Sequence, residues 1–143
     1  MHIKRITEYT SEIRAALVGF LNQLITREVD LTETFLRELI ASENSHLFCA
    51  VDDDGQCVGM ITVGVYFSPT GKKAWIEDVV VTAASRGQGI GKMLTEKAIQ
   101  FAKEQTVQSL MLTSNPARVA ANNLYRSMGF EQRETNVYRM ILE

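Results

Sequence analysis

The stretch "VTAASRGQGIGKML", residues 81–94, sets three glycines within five positions between two apolar runs. Glycine adds chain entropy that folding must overcome. Gly87, Gly89 and Gly91 therefore predict a loop that needs bare backbone. Upstream, "AWIEDVVV" (74–81) is rich in β-branched residues and reads as a strand. Downstream, Ile90, Leu94, Ala98 and Phe101 recur at helical spacing, which predicts a helix ending near Gln105. "SLMLTS" (109–114) is a further strand. Strand, loop, helix and strand in that order favour a parallel crossover.

Two familiar phosphate motifs fail on this loop. A G-x-G-x-x-G fingerprint needs glycine where Lys92 stands. A P-loop fails at both ends, at Arg86 and at Met93. What survives is Arg86-Gly87-Gln88-Gly89-Ile90-Gly91-Lys92 between a strand and a helix. Glycines let backbone N–H groups approach an anion without a Cβ clash. The helix start adds unpaired N–H donors and the positive end of the dipole. Arg86 and Lys92 add charge on the two sides. The loop reads as a pyrophosphate seat.

Around this unit, "HIKRIT" predicts a first strand, and Ile13, Ala16, Leu17, Phe20, Leu21 and Leu24 a helix. Asp30 with Glu33 resembles a capping box opening a second helix, with Phe35, Leu36, Leu39 and Ile40 on its apolar face. "HLFCAV" and "CVGMITVGVYF" read as a hairpin around an Asp-Gly turn. In either register weighed for that turn, Cys49 and Cys57 point to opposite faces, so a disulfide is not expected. Asn115 as cap and Pro116 in the first turn predict a last helix stopping at Gly129. "FEQRETNVYRMIL" predicts two closing strands. The fold class is α/β: a mixed, mostly antiparallel sheet with about four helices.

The chain has 143 residues, 45% hydrophobic and 22% charged, with a formal net charge of −2. This suggests one soluble globular domain over 1–143. The balance recruits neither nucleic acid nor an anionic membrane. The start lacks a signal-peptide pattern, which makes cytoplasmic the expected location. His2, His46, Cys49 and Cys57 offer no metal-ligand spacing, so no metal is expected. Phe20, Tyr66 and Phe67 read as packing residues, with the lining of an acceptor pocket as the alternative.

Glu77 and Asp78 interrupt an apolar strand. By strict alternation Glu77 shares a face with Trp75 and Val79, and Asp78 with Ile76 and Val80. Taken alone, such a pair reads first as a structural ion pair or the exposed face of an edge strand. Tyr125, taken alone, is a core aromatic at helical spacing with Leu124 and Met128.

Arg86-Gly87-Gln88-Gly89-Ile90-Gly91 resembles the R-x-x-G-x-G acetyl-coenzyme A motif of the GNAT N-acetyltransferase superfamily. "ANNLYRSMGF" (121–130) resembles that superfamily's later A-x-x-L-Y-x-x-x-G-F signature. The resemblance covers residues 46–143 well and the first 45 only by element order. It implies that the loop amides, Gly87 to Lys92, hold the coenzyme pyrophosphate. It also implies that "AWIEDVVV" is bulged and splayed from the next strand, the fourth and fifth strands in order. Backbone near Val79, Val80 and Val81 then pairs with pantetheine, and one amide polarises the thioester carbonyl.

The implied reaction moves an acetyl group from acetyl-coenzyme A to a primary amine. The amine must be neutral to attack, and the leaving thiolate benefits from a proton. "IEDVVV" before the loop is similar to the matching stretch of glucosamine-phosphate and spermidine/spermine N-acetyltransferases. That similarity implies Glu77 as general base, directly or through water, and Asp78 as a residue holding the acceptor. It implies Tyr125 as the acid, a transfer uphill by about 2 kcal/mol from the reference pKa values. Arg118 stands where many members carry asparagine, a departure shared with aminoalkylphosphonate N-acetyltransferases. Asn115 or Asn122 then makes the pantetheine contact. The implied partner is a small-molecule amine, with a homodimer allowed. A protein N-terminal or lysine acetyltransferase and a non-catalytic coenzyme A sensor are the competing functions.

Overall fold

The protein is described by a computed structural model over residues 1–24 and 29–142. The chain divides into two compact units, Met1–Leu112 and Thr113–Glu143. The first holds one five-stranded sheet in the order β1-β2-β3-β4-β5. Its strands are β1 (His2–Arg5), β2 (Ser45–Val51), β3 (Cys57–Ser68), β4 (Gly71–Val81) and β5 (Ser109–Met111). The first four pair antiparallel in sequence, and β4 pairs with β5 in parallel. The strand-helix-strand order around the glycines does give the parallel crossover, through α3 (Ile90–Glu104).

Two helices cover one face of the sheet. Helix α1 (Ser11–Leu24) is capped by the Thr10 hydroxyl, which accepts from the Ile13 N–H at 3.1 Å. Helix α2 (Glu33–Ala41) starts two residues later than the Asp30 cap predicts. Its cap is Thr32, whose side chain accepts from the Phe35 N–H at 3.1 Å. The reason is packing. Leu31 just before the cap and Leu36 in the next turn are both buried in one cluster, a hydrophobic staple that fixes the entry point. Phe35 consequently points outward and is 58% exposed, not on the apolar face. Leu17 and Phe20 of α1 join Leu31 and Leu36 over Leu47, Cys49, Met60 and Val80 of the sheet.

Helix α3 packs on the opposite face. Phe101 meets Phe48 edge-on at 5.4 Å, and Ile90 and Leu94 press against the backbone at Gly59. Each such fully buried side chain contributes roughly 1.5–3 kcal/mol. His46 is buried on this face, stacked on Phe101, and its Nδ1 accepts from Arg5 Nη2 at 2.6 Å. Burial, then the Arg5 charge, lowers its pKa. It is a core histidine whose burial favours the neutral ring.

Three further expectations change. The β2–β3 register puts Cys57 opposite Val51 and Gly59 opposite Ala50, so β3 carries one extra residue. Cys57 therefore shares a face with Cys49, and both lie at the same apolar cluster. Tyr66 and Phe67 are 43% and 77% exposed and do not pack inside, whereas Phe20 does. The closing strands are absent: residues 131–142 carry no strand. Alternation is weak there, and Val137, Tyr138 and Met140 stand exposed. A strand without a partner edge has no ladder to hold it.

The second unit contains α4 (Val119–Ser127). Pro116 does not open this helix. Asn115 Oδ1 accepts from the Ala117 N–H at 2.9 Å, and the Arg118 N–H donates to the Asn115 carbonyl at 3.0 Å. That turn delays the helix until Val119. The predicted stop at Gly129 holds: the Phe130 N–H reaches back to the Tyr125 carbonyl and the Gly129 N–H to that of Arg126.

Candidate active site

The residues singled out in the sequence fall in two groups, one in each compact unit. In the first unit they lie on the second half of β4 and the loop that follows. Val81 pairs with Gly59, Val80 with Met60 and Glu77 with Thr62. Ile61 thus faces both Asp78 and Val79, which is a β-bulge in β4. Asp78 adopts φ 54°, a left-handed conformation that aspartate tolerates better than most residues.

The bulge corrects the facing derived from strict alternation. Glu77 does lie with Trp75, on the side of Thr62 and Gly64. Beyond the bulge the parity reverses: Val80, opposite Met60, joins that same side, and Val79 turns to the other. The sheet can therefore bury Ile76 under α3 and Val80 under α1, with two carboxylates between them.

Strand β5 accompanies β4 only from Lys73 to Trp75. Among the described residues, β4 from Ile76 onward has an open edge on that side. An open edge presents unpaired N–H and C=O groups to whatever extended chain enters. The pairing ends at the strand pair where the splay is expected.

Both carboxylates hold their protons to higher pH than usual. Burial raises the Glu77 pKa, with the Asp78 charge adding to it. Burial raises that of Asp78. Beside them, Trp75 Nε1 donates to the Tyr66 hydroxyl at 2.9 Å. Tyr66 opposes Lys73, which puts it on the Trp75 and Glu77 side. The sequence places Trp75 on the Glu77 face but not against Tyr66, since only register brings those two together.

After β4 the Thr82 N–H donates to the Val58 carbonyl, and a short 3₁₀ turn, Ala83–Ser85, leads to Arg86. Gly87 and Gly89 have φ of 80° and 76°. A Cβ on either would meet nothing within 4 Å, so backbone conformation, not crowding, requires glycine there. Gly89 is the cap of α3 and brings no capping side chain. The first helical bond runs from the Met93 N–H to the Gly89 carbonyl, at 3.0 Å. The amides of Ile90, Gly91 and Lys92 therefore have no partner inside the helix. Gly91 sits in the first turn, its carbonyl accepting from Thr95 Oγ1 at 2.7 Å. Lys92 Nζ reaches only to 4.0 Å from Glu96, and both side chains are exposed. Arg86, Gln88 and Lys92 are exposed as well. The loop offers donors, a dipole and charge, as an anion site requires.

In the second unit, Tyr125 is buried, and its ring meets Phe130 edge-on at 5.9 Å. Burial raises the phenol pKa, and the Arg118 charge works against that rise. Asn122 Nδ2 donates to the carbonyls of Asn115 and Arg118, at 2.9 and 2.8 Å, which ties its amide to the turn. Asn115 gives only its side-chain oxygen to that turn. Ser114 Oγ is buried without a partner, and no sequence signal marks it.

The sequence profile of the acetyltransferase (GNAT) family matches residues 14–130. The chain belongs to that family. Among curated GNAT-like relatives, it is 29% identical over 120 residues to mouse (Mus musculus) N-acetyltransferase family 8 member 3. That alignment covers 82% of this chain and 51% of the relative. It is 36% identical over 87 residues to the streptothricin acetyltransferase of Streptomyces lavendulae, covering 61% and 45% of the two chains. The chain spans about half the length of the curated relatives it matches. A putative acetyltransferase from Agrobacterium tumefaciens has the same fold, with a TM-score of 0.84 at 23% identity, covering 96% of this chain and 99% of that one.

Proposed function

We propose that this chain is an acetyl-coenzyme A-dependent N-acetyltransferase, one domain acting on a primary amine of a small molecule. The observation that carries the reading is the bulge at Asp78 and Val79. It puts two carboxylates of raised pKa on an open strand edge that runs straight into a glycine loop of free amides.

The fit to the coenzyme rests on the loop and the edge. The amides from Gly87 to Lys92, unencumbered by a capping side chain, suit a pyrophosphate, with Arg86 and Lys92 as counter-charges. The open edge at Val79, Val80 and Val81 suits the amide groups of pantetheine, as strand addition suits any extended chain. Asn115 is the less engaged of the two asparagines and so the freer for a further contact, because the Asn122 amide is tied to the turn. The coenzyme supplies an activated acetyl thioester.

Glu77 takes the proton from the incoming ammonium, directly or through water. A raised carboxylate pKa brings it closer to the amine's and eases that transfer. Asp78 holds the cationic acceptor beside it. Tyr125 donates its phenolic proton to the departing sulfur. Trp75 and Tyr66 give the acceptor side an aromatic wall, which suits a ring-bearing amine. The streptothricin acetyltransferase relative supports a small-molecule acceptor.

The test is a panel of amines, comprising aminoglycosides, streptothricin, amino sugars, polyamines and aminoalkylphosphonates, incubated with acetyl-coenzyme A while free thiol is followed. Acetylation of one class establishes the acceptor. Tight coenzyme A binding with no acetylation across the panel removes the small-molecule reading in favour of a sensor or a protein acetyltransferase.

A further inference from the structure

Two glycines lie inside β3, on opposite faces of the sheet, and they differ in what surrounds them. A Cβ on Gly59 would meet the Val80 carbonyl oxygen at 3.0 Å and Leu94 at 3.2 Å, so the close approach of α3 requires glycine there. A Cβ on Gly64 would meet nothing within 4 Å among the described residues. The backbone at Gly64 is ordinary strand, without the positive φ of Gly55 or Gly71. Glycine in a strand interior weakens it and often marks a place where a ligand comes close. Neither packing nor conformation accounts for Gly64.

The missing side chain leaves a hollow on the Glu77 face of the sheet. Register sets its borders: Gly64 lies between Ser45 of β2 and Trp75 of β4, with Thr62 and Tyr66 on either side of it along β3. Its wall is aromatic, and Trp75 is tied to Tyr66 by the 2.9 Å bond from Nε1 to the hydroxyl. The hydroxyls of Ser45, Thr62 and Tyr66 edge the hollow, and that of Tyr66, accepting from Trp75, keeps its own proton to donate. Glu77 opposes Thr62 and stands one step of about 6.7 Å beyond Trp75 along β4. Bare backbone beneath, an aromatic side, a hydroxyl rim and a carboxylate at one end suit a flat-faced, hydroxylated amine.

We propose, resting on the acyl-transfer reading above, that Gly64 selects the acceptor: a hydroxylated six-membered ring, of the amino-sugar class, lies over its bare backbone against Trp75 and directs its amine along β4 to Glu77. The C–H face of such a ring is apolar and packs on the aromatic wall, while its hydroxyls reach the rim. An open-chain amine has no such face and loses more conformational freedom when it is held. Any side chain at position 64 would stand where the ring lies.

Trp75 is the chain's one tryptophan, so its fluorescence reports on the hollow directly. The full chain, in saturating coenzyme A, is titrated with glucosamine and with glucamine, an open-chain amine of similar hydroxyl pattern. Glucosamine should change the Trp75 emission saturably, and glucamine should bind at least roughly ten-fold more weakly. Gly64→Val should lose the glucosamine response, with coenzyme A affinity unchanged by calorimetry and an unfolding midpoint no lower than wild type. Gly64→Ala should weaken glucosamine binding by a smaller factor. With acetyl-coenzyme A, thiol release on glucosamine should show a raised KM in both variants. No saturable response to glucosamine, equal binding of the two amines, or binding unchanged in both variants overturns the proposal. So does a Gly64→Val chain that melts below wild type, since the protein itself would then fill the space. Thiol release without preference for the ring removes the ring site and leaves the acyl-transfer reading standing. Ring binding that depends on Gly64 but yields no thiol upholds the ring site and counts against the acyl-transfer reading.

Discussion

The two halves of β4 are built for different purposes. From Lys72 to Trp75 the strand is held on both edges, by β3 on one side and by the β5 segment and the Gln108 N–H on the other. Ala74, and Ile76 just past it, alternate into the core. From Glu77 to Val81 it pairs only with β3, over a bulge, and carries two carboxylates and a left-handed aspartate. The first half is scaffold. The second gives up ladder bonds, regular alternation and an easy backbone, and each of these losses exposes a group that an acyl transfer can use. Strain and unpaired backbone that persist in a folded chain call for such a purpose.

The sharpest way to break this comparison is at Glu77. Glu77→Gln keeps size and hydrogen bonding but cannot accept a proton. Turnover should fall by roughly 10²–10⁴, with the unfolding midpoint nearly unchanged. Because burial raises the Glu77 pKa, the wild-type rate should fall as pH drops through a value above the ordinary carboxylate range. Glu77→Gln should lose that limb and recover partly at high pH, as free amine accumulates. An unaltered pH–rate profile removes Glu77 as base.

Ile76→Ala, one residue away at the junction with the scaffold half, should do the reverse. Ile76 is buried under α3. Its truncation should cost about 2–5 kcal/mol by denaturant unfolding, with kcat little changed in the folded fraction. A variant with wild-type stability would mean that this half of the strand is not the scaffold described.

Gly89→Ala tests the loop. With φ at 76°, alanine is strained by about 1 kcal/mol, and the loop should relax away from the geometry that aims its amides. Calorimetry with coenzyme A should register weaker binding and only a small loss in melting temperature. Unchanged affinity would separate the glycine conformation from the anion seat.

The smallest effect concerns the stability contributed by the two carboxylates. Both Glu77 and Asp78 have folded-state pKa values above their unfolded ones. Such groups favour the folded state below the unfolded pKa, and that contribution is lost as pH rises through the folded pKa. The window opens near pH 4 and closes somewhat above it. Glu77→Gln with Asp78→Asn should therefore melt higher than wild type at neutral pH, with the difference shrinking toward pH 4. The shift is small because both side chains are partly in water. An equal difference at both pH values would assign it to something other than their charge.

What the sequence disclosed, and what it hid, follows from the range of the interactions involved. The strand-loop-helix unit was legible because composition alone writes it: β-branched residues, then glycines, then helical spacing. The parallel crossover followed from element order. Register was not legible. The extra residue in β3 near Val58 and the bulge at Asp78 depend on what the partner strand does, so alternation misplaced Cys57 and the valines beyond Asp78. Asp30 lost the cap to Thr32 because Leu31 and Leu36 meet in the core, a contact no local pattern records. The Trp75–Tyr66 contact stayed hidden because Tyr66 comes to Trp75 only through pairing. The two carboxylates could be read as an anomaly, but their raised pKa values come from burial that only the fold supplies.

The most direct test is amide hydrogen exchange with and without saturating coenzyme A. Slower exchange is expected from Glu77 through Val81 and from Gly87 through Lys92, with Lys72 to Trp75 unchanged because that stretch is already held by the sheet on both edges. Protection confined to other segments, or uniform along β4, would contradict it.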